Sequence, residues 1–155
     1  MSSALRTQMT DNLKAAMRAG DALRVSTLRM MTARLKDFDI AARPKGVTEI
    51  PDAEIIAMLR GMVKSRRESE AQYRAVNRAE LADKEAAEIV IIEAFLPQTL
   101  EGAALAAAVD QAIAATGALG AKDMGKVIAA LKQAHGTDLD MGVTSALVKE
   151  KLAAQ

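Results

Sequence analysis

Arg60, Lys64, Arg67, Arg74 and Arg78 follow one another at intervals of 4, 3, 7 and 4 residues. On an α-helix those intervals return to one face, and at about 1.5 Å per residue the row runs roughly 27 Å. With Arg66 beside it, this is a basic ridge long enough to track several phosphates of a nucleic-acid backbone. Glu68 and Glu70 interleave, so the plain alternative is a solvated helix face. The only aromatic residues are Phe38, Tyr73 and Phe95, and a core needs some of them. Base stacking on exposed rings is therefore not expected, and an RNA met here would be read by backbone and shape.

A second candidate is the stretch GAKDMGKV at 120–127, one letter from the phosphate-loop pattern G-x-x-x-x-G-K-[ST]. Such a loop follows a buried strand, and its final hydroxyl ligates magnesium. Val127 has no hydroxyl, and the preceding AAAVDQAIAATGAL reads as a helix. The better reading is a helix start, capped by Asp123, with Met124-Gly125-Lys126 as its first turn. Free N–H groups there could still meet a phosphate, with Gly125 permitting close approach and Lys126 adding charge.

Other chemistry is poorly supplied. His135 is the lone histidine and there is no cysteine, so thiol nucleophiles, disulfides and the common zinc sets are excluded. Asp138-Leu139-Asp140 suggests the start of a calcium loop. That pattern then needs a ligand, a glycine and a glutamate where the chain has Gly142, Val143 and Lys149. No Gly-x-Ser-x-Gly elbow is present. Glu85, Glu88 and Glu93 read as a solvated face with partners such as Lys84. The residues give no catalytic site, no metal, no bound nucleotide and no cofactor.

The elements that position these residues are expected to be helices throughout. Half of the 155 residues are apolar, with many alanines and nine methionines, while β-branched and aromatic residues are scarce. Leu5, Met9, Leu13 and Met17 form the stripe of a first helix. Gly20 and Asp21 then supply a C-terminal glycine and an N-cap, so that a second helix turns back with Leu28, Met31, Leu35 and Phe38 inward. A loop at 42–52 leads to a long helix from about Asp52 to Val76, with Ile55, Leu59, Met62 and Tyr73 inward. A fourth runs from about Ala79 to Leu96, ending at Pro97, and its IVII segment (89–92) places it centrally.

Composition changes beyond Pro97, where the chain becomes Ala-rich and loses its basic character. Three shorter helices are expected, at about 102–116, 124–134 and 140–153. The predicted fold is all-α: a four-helix N-terminal domain (1–96), a hinge (97–101) and a small three-helix C-terminal domain (102–155). No apolar run reaches the 18 or so residues of a membrane span. Asp11 and the continuous helical pattern argue against a mitochondrial targeting peptide, and a cytoplasmic location is expected. The net charge of +1 is unevenly spread: residues 1–50 hold nine Lys/Arg against five Asp/Glu, and the remainder is slightly acidic.

Several stretches resemble the GatB/YqeY-like proteins. RVSTLRMMTARLKDFDI (24–40) is similar to that family's Arg-x-x-x-x-Arg-Met-Leu helix. In KSRRESEAQYRAVNRAELADKEAAEIVIIEAFLPQTL (64–100), Lys64, Arg67, Ser69, Arg78, Leu81, Lys84, Glu85 and Glu88 fall where the family pattern has them, as does Phe95-Leu96-Pro97-x-x-Leu100. KDMGKVIAAL (122–131) and LVKEKL (147–152) extend the likeness over nearly the whole chain. The resemblance implies an all-α two-domain protein, similar to the tail of the GatB component of aspartyl/glutamyl-tRNA amidotransferase. In that enzyme the tail grips tRNA, while a glutaminase subunit and a separate kinase domain perform amidation. Both parts are missing here, so an activity as a carbon–nitrogen ligase with glutamine as amido-N-donor would be inherited by resemblance alone. Many relatives have a basic Gly-Arg-Ala-Asp-Gly turn where this chain has GTDLDMG (136–142), with two aspartates and no basic residue.

The expectation is a non-catalytic adaptor that binds tRNA or a tRNA-bearing enzyme. Its contacts are expected at Arg60, Lys64, Arg67, Arg74 and Arg78, with Gly125 and Lys126 next. The alternative is a protein-interaction module. In it, some of Met9, Met17, Met30, Met31, Met58, Met62, Met124 and Met141 line a groove between the domains for a partner helix.

Overall fold

The computed structural model describes residues 3–155, the side chain of Thr137 excepted, so the first two residues of the expected N-terminal domain lie outside it. Seven α-helices and three short 3₁₀ turns make up the secondary structure of the described residues, and the fold is all-α. The chain divides into two compact units, Met1–Leu96 and Pro97–Gln155.

In the first unit, α1 (Ala4–Ala19) begins where Ser3 accepts a hydrogen bond from the Arg6 N–H at 3.0 Å. It ends at Gly20, whose φ of 68° is left-handed and whose N–H returns to the carbonyls of Ala16 and Met17. Asp21 then caps α2 (Ala22–Ala42) through the Arg24 N–H, so the turn read from Gly20-Asp21 is the turn that forms. α3 (Asp52–Ala75) follows a 3₁₀ turn at Arg43–Lys45, and opens with Asp52 and Glu54 at its positive end. The reversal into α4 (Ala79–Glu93) places Asn77 at φ 57°, a conformation Asn tolerates better than most side chains.

Leu5, Met9, Leu28, Met31, Leu35, Ile55, Leu59 and Ile92 are buried in one cluster, and α3 and α4 form the most extensive helix pair. Several expected core positions differ. Met17, at the end of the α1 stripe, is 52% exposed, and Phe38, at the end of the α2 stripe, is 37% exposed. Phe38 lines an open groove together with Met58 and Met62 of α3. Met62 and Tyr73 are only partly buried. In IVII, Ile89 and Ile92 are buried but Val90 is 69% exposed, so α4 has an outer face and is not enclosed. It also stops at Glu93, with Phe95 and Leu96 in turns that bond back to Ile92 and Glu93 before Pro97.

The second unit contains α5 (Gly102–Thr116), α6 (Met124–His135) and α7 (Met141–Ala153). Leu105, Val109, Ile113, Val127, Leu131, Leu139, Val148 and Leu152 form its core. Ala108 and Ala112 are buried with them, small residues that suit close helix packing. The Leu100 N–H donates to the Asp138 carbonyl at 2.8 Å and ties the start of this unit to the turn before α7. The acidic turn has a structural role: the Asp140 carboxylate accepts from the N–H groups of Gly142 and Val143 and caps α7. Among the described residues no single helix is long and apolar enough to cross a membrane.

Candidate nucleic-acid interface

The core face of α3 carries Ile55, Met58, Leu59 and Val63. At about 100° per residue, Arg60, Lys64, Arg67 and Arg74 fall within roughly 80° of one another, on a flank centred about 120° from that core face. Arg78 does not join them: α3 ends at Ala75, and Arg78 is the N-cap residue of α4, 3.7 Å from the Glu80 carboxylate. The expected five-residue ridge is therefore four residues on α3, about 21 Å long at about 1.5 Å per residue. Arg66 also departs from expectation. It lies on the inner side of the helix and donates to buried Glu88.

The four cations differ in what surrounds them. Lys64 is exposed and has no ion pair among the described residues. Arg60 is partly buried. Arg67 donates to Glu93 of α4 at 2.5 Å, and both side chains are exposed. Arg74 donates to Glu70 at 2.9 Å and to Asp83 at 3.2 Å, and these bonds, Glu70 foremost, raise its pKa. Exposed pairs of this kind are screened by solvent and contribute little, so a phosphate can displace the carboxylate at small cost.

At GAKDMGKV, α5 precedes the segment where a phosphate loop would have a strand. Gly120 is extended, residues 121–123 make a 3₁₀ turn, and α6 starts at Met124. Val127 is fully buried, which explains an apolar residue where the loop pattern has a hydroxyl. Asp123 occupies the N-cap position of α6 without capping it, contrary to expectation. Its carboxylate accepts from the Leu119 N–H at 3.0 Å, the main cause of its lowered pKa, with smaller help from Lys126 and Lys122. Gly125 has open space where a Cβ would stand. The Lys126 ammonium is exposed, 3.8 Å from Asp123. The structure thus sets Gly125 and Lys126 on one helix start in the second unit, and the α3 cations on the first.

Two arrangements escaped the sequence. Arg6 donates to both oxygens of Asp39 at 2.8 and 2.7 Å and to the Ile50 carbonyl, while the Ile50 N–H donates to Asp39. This ties α1, the end of α2 and the loop before α3. Glu88, expected on a solvated face, is buried and bound to Arg66. The partners stand 33 and 22 residues apart, beyond the reach of any local spacing rule. A groove of about 610 Å³ also opens between α2 and α3, lined by Met30, Phe38, Met58, Gly61 and Met62 among others. Of the remaining methionines, Met9 and Met31 are core residues, and Met124 and Met141 pack on the second core.

The described residues form an all-α protein of two compact units, with cations on helix surfaces and many carboxylates engaged in caps and ion pairs. The family model described as Yqey-like protein matches residues 6–152, and the chain belongs to that family. No curated protein matches it.

Proposed function

We propose that this protein is a non-catalytic helical adaptor of the cytoplasm that binds tRNA, or an enzyme carrying tRNA, through the basic face of α3. The observation that carries the reading is the shared flank of Arg60, Lys64, Arg67 and Arg74, with Lys64 exposed and unpaired among the described residues. Phosphate contacts from such a face position an RNA without reading its sequence. Arg78, and Gly125 with Lys126, are secondary contacts. Glutamine-dependent amidation is not part of the proposal. The test is binding of total tRNA at two salt concentrations, with Lys64→Ala/Arg67→Ala alongside. Loss of two phosphate contacts should weaken binding and reduce the salt slope by nearly two units. Equal binding by wild type and variant would remove α3 from the interface.

A second reading is a protein-interaction module using the methionine-lined groove between α2 and α3. Soft thioethers adapt to varied apolar partners, and an amphipathic helix is the natural occupant of such a groove. Its affinity would change little with salt, the opposite of the tRNA reading.

A further inference from the structure

The basic excess of the first 50 residues is concentrated on α2 and the turn after it. There Arg24, Arg29, Arg34, Lys36, Arg43 and Lys45 face only Asp37 and Asp39. Most of these charges have no packing role, but some do. Arg24 donates to Asn12, Arg34 lies over the Phe38 ring at 5.6 Å, and Asp39 is held by Arg6. Arg29, Lys36, Arg43 and Lys45 remain, and the first three stand seven residues apart. All three are exposed, and none is in an ion pair among the described residues.

Their spacing puts them together. Seven residues are two turns with a drift of about 20°, so the three stay within roughly 40° of one another. Arg43 keeps helical angles (φ −55°, ψ −41°), which extends the row past the last residue of α2. At about 1.5 Å per residue they stand about 10.5 Å apart along about 21 Å of helix. Leu28, Met31 and Leu35 are buried on the other side. Ile40 is the one exposed large apolar side chain among them, and a single such residue is ordinary surface.

We infer that this outer face of α2 is a second RNA-contacting surface, in which Arg29, Lys36 and Arg43 take backbone phosphates. The inference rests on the RNA-binding reading above and adds a surface to it. An evenly spaced row of cations without an apolar anchor fits a repeating phosphate chain better than a protein partner, whose binding energy concentrates in buried aromatic or apolar centres. The α2 face should also contribute more than the α3 face. On α3 and α4 carboxylates outnumber cations, and Arg67 and Arg74 must release Glu93, Glu70 and Asp83 before they take a phosphate. Arg29 and Lys36 release only counterions, the source of salt-dependent affinity, while Arg43 also feels the Asp39 carboxylate that Arg6 holds.

The experiment compares full-length wild type, Arg29→Ala/Lys36→Ala/Arg43→Ala and Lys64→Ala/Arg67→Ala for binding of total tRNA across a salt series. Thermal melts verify that each is folded. The α2 triple variant should melt like wild type and reduce the salt slope by about two to three units, more than the α3 variant does. Arg29→Lys/Arg43→Lys, which keeps the charges, should retain the wild-type slope. Salt-dependent binding by wild type with an unchanged slope in the triple variant would overturn the inference and leave the α3 reading standing. Absence of wild-type binding at low salt would overturn both. If polyglutamate binds as tightly as tRNA and with the same sensitivity to the triple variant, the surface is one for acidic protein and the RNA assignment falls.

Discussion

Glu88 of α4 accepts a hydrogen bond from Arg66 Nε of α3 at 2.9 Å, with the two side chains 8% and 13% exposed. Arg66 also donates to the Met62 carbonyl and reaches the Met30 sulfur at 3.6 Å. The pair therefore joins the two most extensively packed helices and stands behind the groove. Removing one partner of a buried pair leaves the other charge without compensation, which costs about 3 kcal/mol. Glu88→Ala should lower stability by about that much in urea unfolding, and Glu88→Gln, which keeps an acceptor, by less.

Asp39 governs the acid side of stability. The hydrogen bonds from Arg6 foremost, aided by the Ile50 N–H, hold its carboxyl below the usual range against some opposing desolvation. A carboxyl depressed in the folded state contributes stability that is fully present above the unfolded value of about 3.9 and is lost as pH falls through the folded one. Asp39→Asn should cost about 2 kcal/mol at neutral pH. The gap between variant and wild type should close as pH is lowered below about 4. Denaturation at pH 7 and in acid measures both.

Val127→Thr completes the phosphate-loop pattern in letters. Because Val127 is fully buried, the change places a hydroxyl in the core of the second unit, at about 1–3 kcal/mol. A lowered melting point without ATP binding, measured by calorimetry, is the expected result.

Gly20 closes α1 at φ 68°. A Cβ there meets no neighbour, so Gly20→Ala tests the backbone alone and should cost about 1–2 kcal/mol. Unfolding by denaturant will show it as a lower midpoint with the same slope.

Much of this architecture was legible where the signal is local. Gly20-Asp21 and the last residue of α5, Thr116 before Gly117, follow from capping chemistry that two or three residues contain. The basic flank of α3 was legible too, because helical spacing fixes which residues share a side. What periodicity cannot give is how far a stripe is covered. Met17 and Phe38 continue apolar stripes yet stay exposed, and Val90 sits on the open side of an apolar run. Nor can it show which charges meet across the fold. By spacing Arg66 belongs beside the basic ridge, yet Glu88 draws it inward, and Arg78 would join the row only if α3 continued through it. Asp123 shows the same limit at short range: two acceptable uses for one carboxylate, a cap on α6 or a bond to Leu119, differ only in backbone geometry.

The central claim is that this protein holds RNA by its phosphates. The most direct test is the dissociation constant of the wild-type protein with total tRNA, measured across a series of salt concentrations from about 50 to 200 mM. Affinity should fall linearly on logarithmic axes, with a slope equivalent to several phosphate contacts. No association at the lowest salt, or an affinity indifferent to salt, would contradict it and turn attention to the groove between α2 and α3.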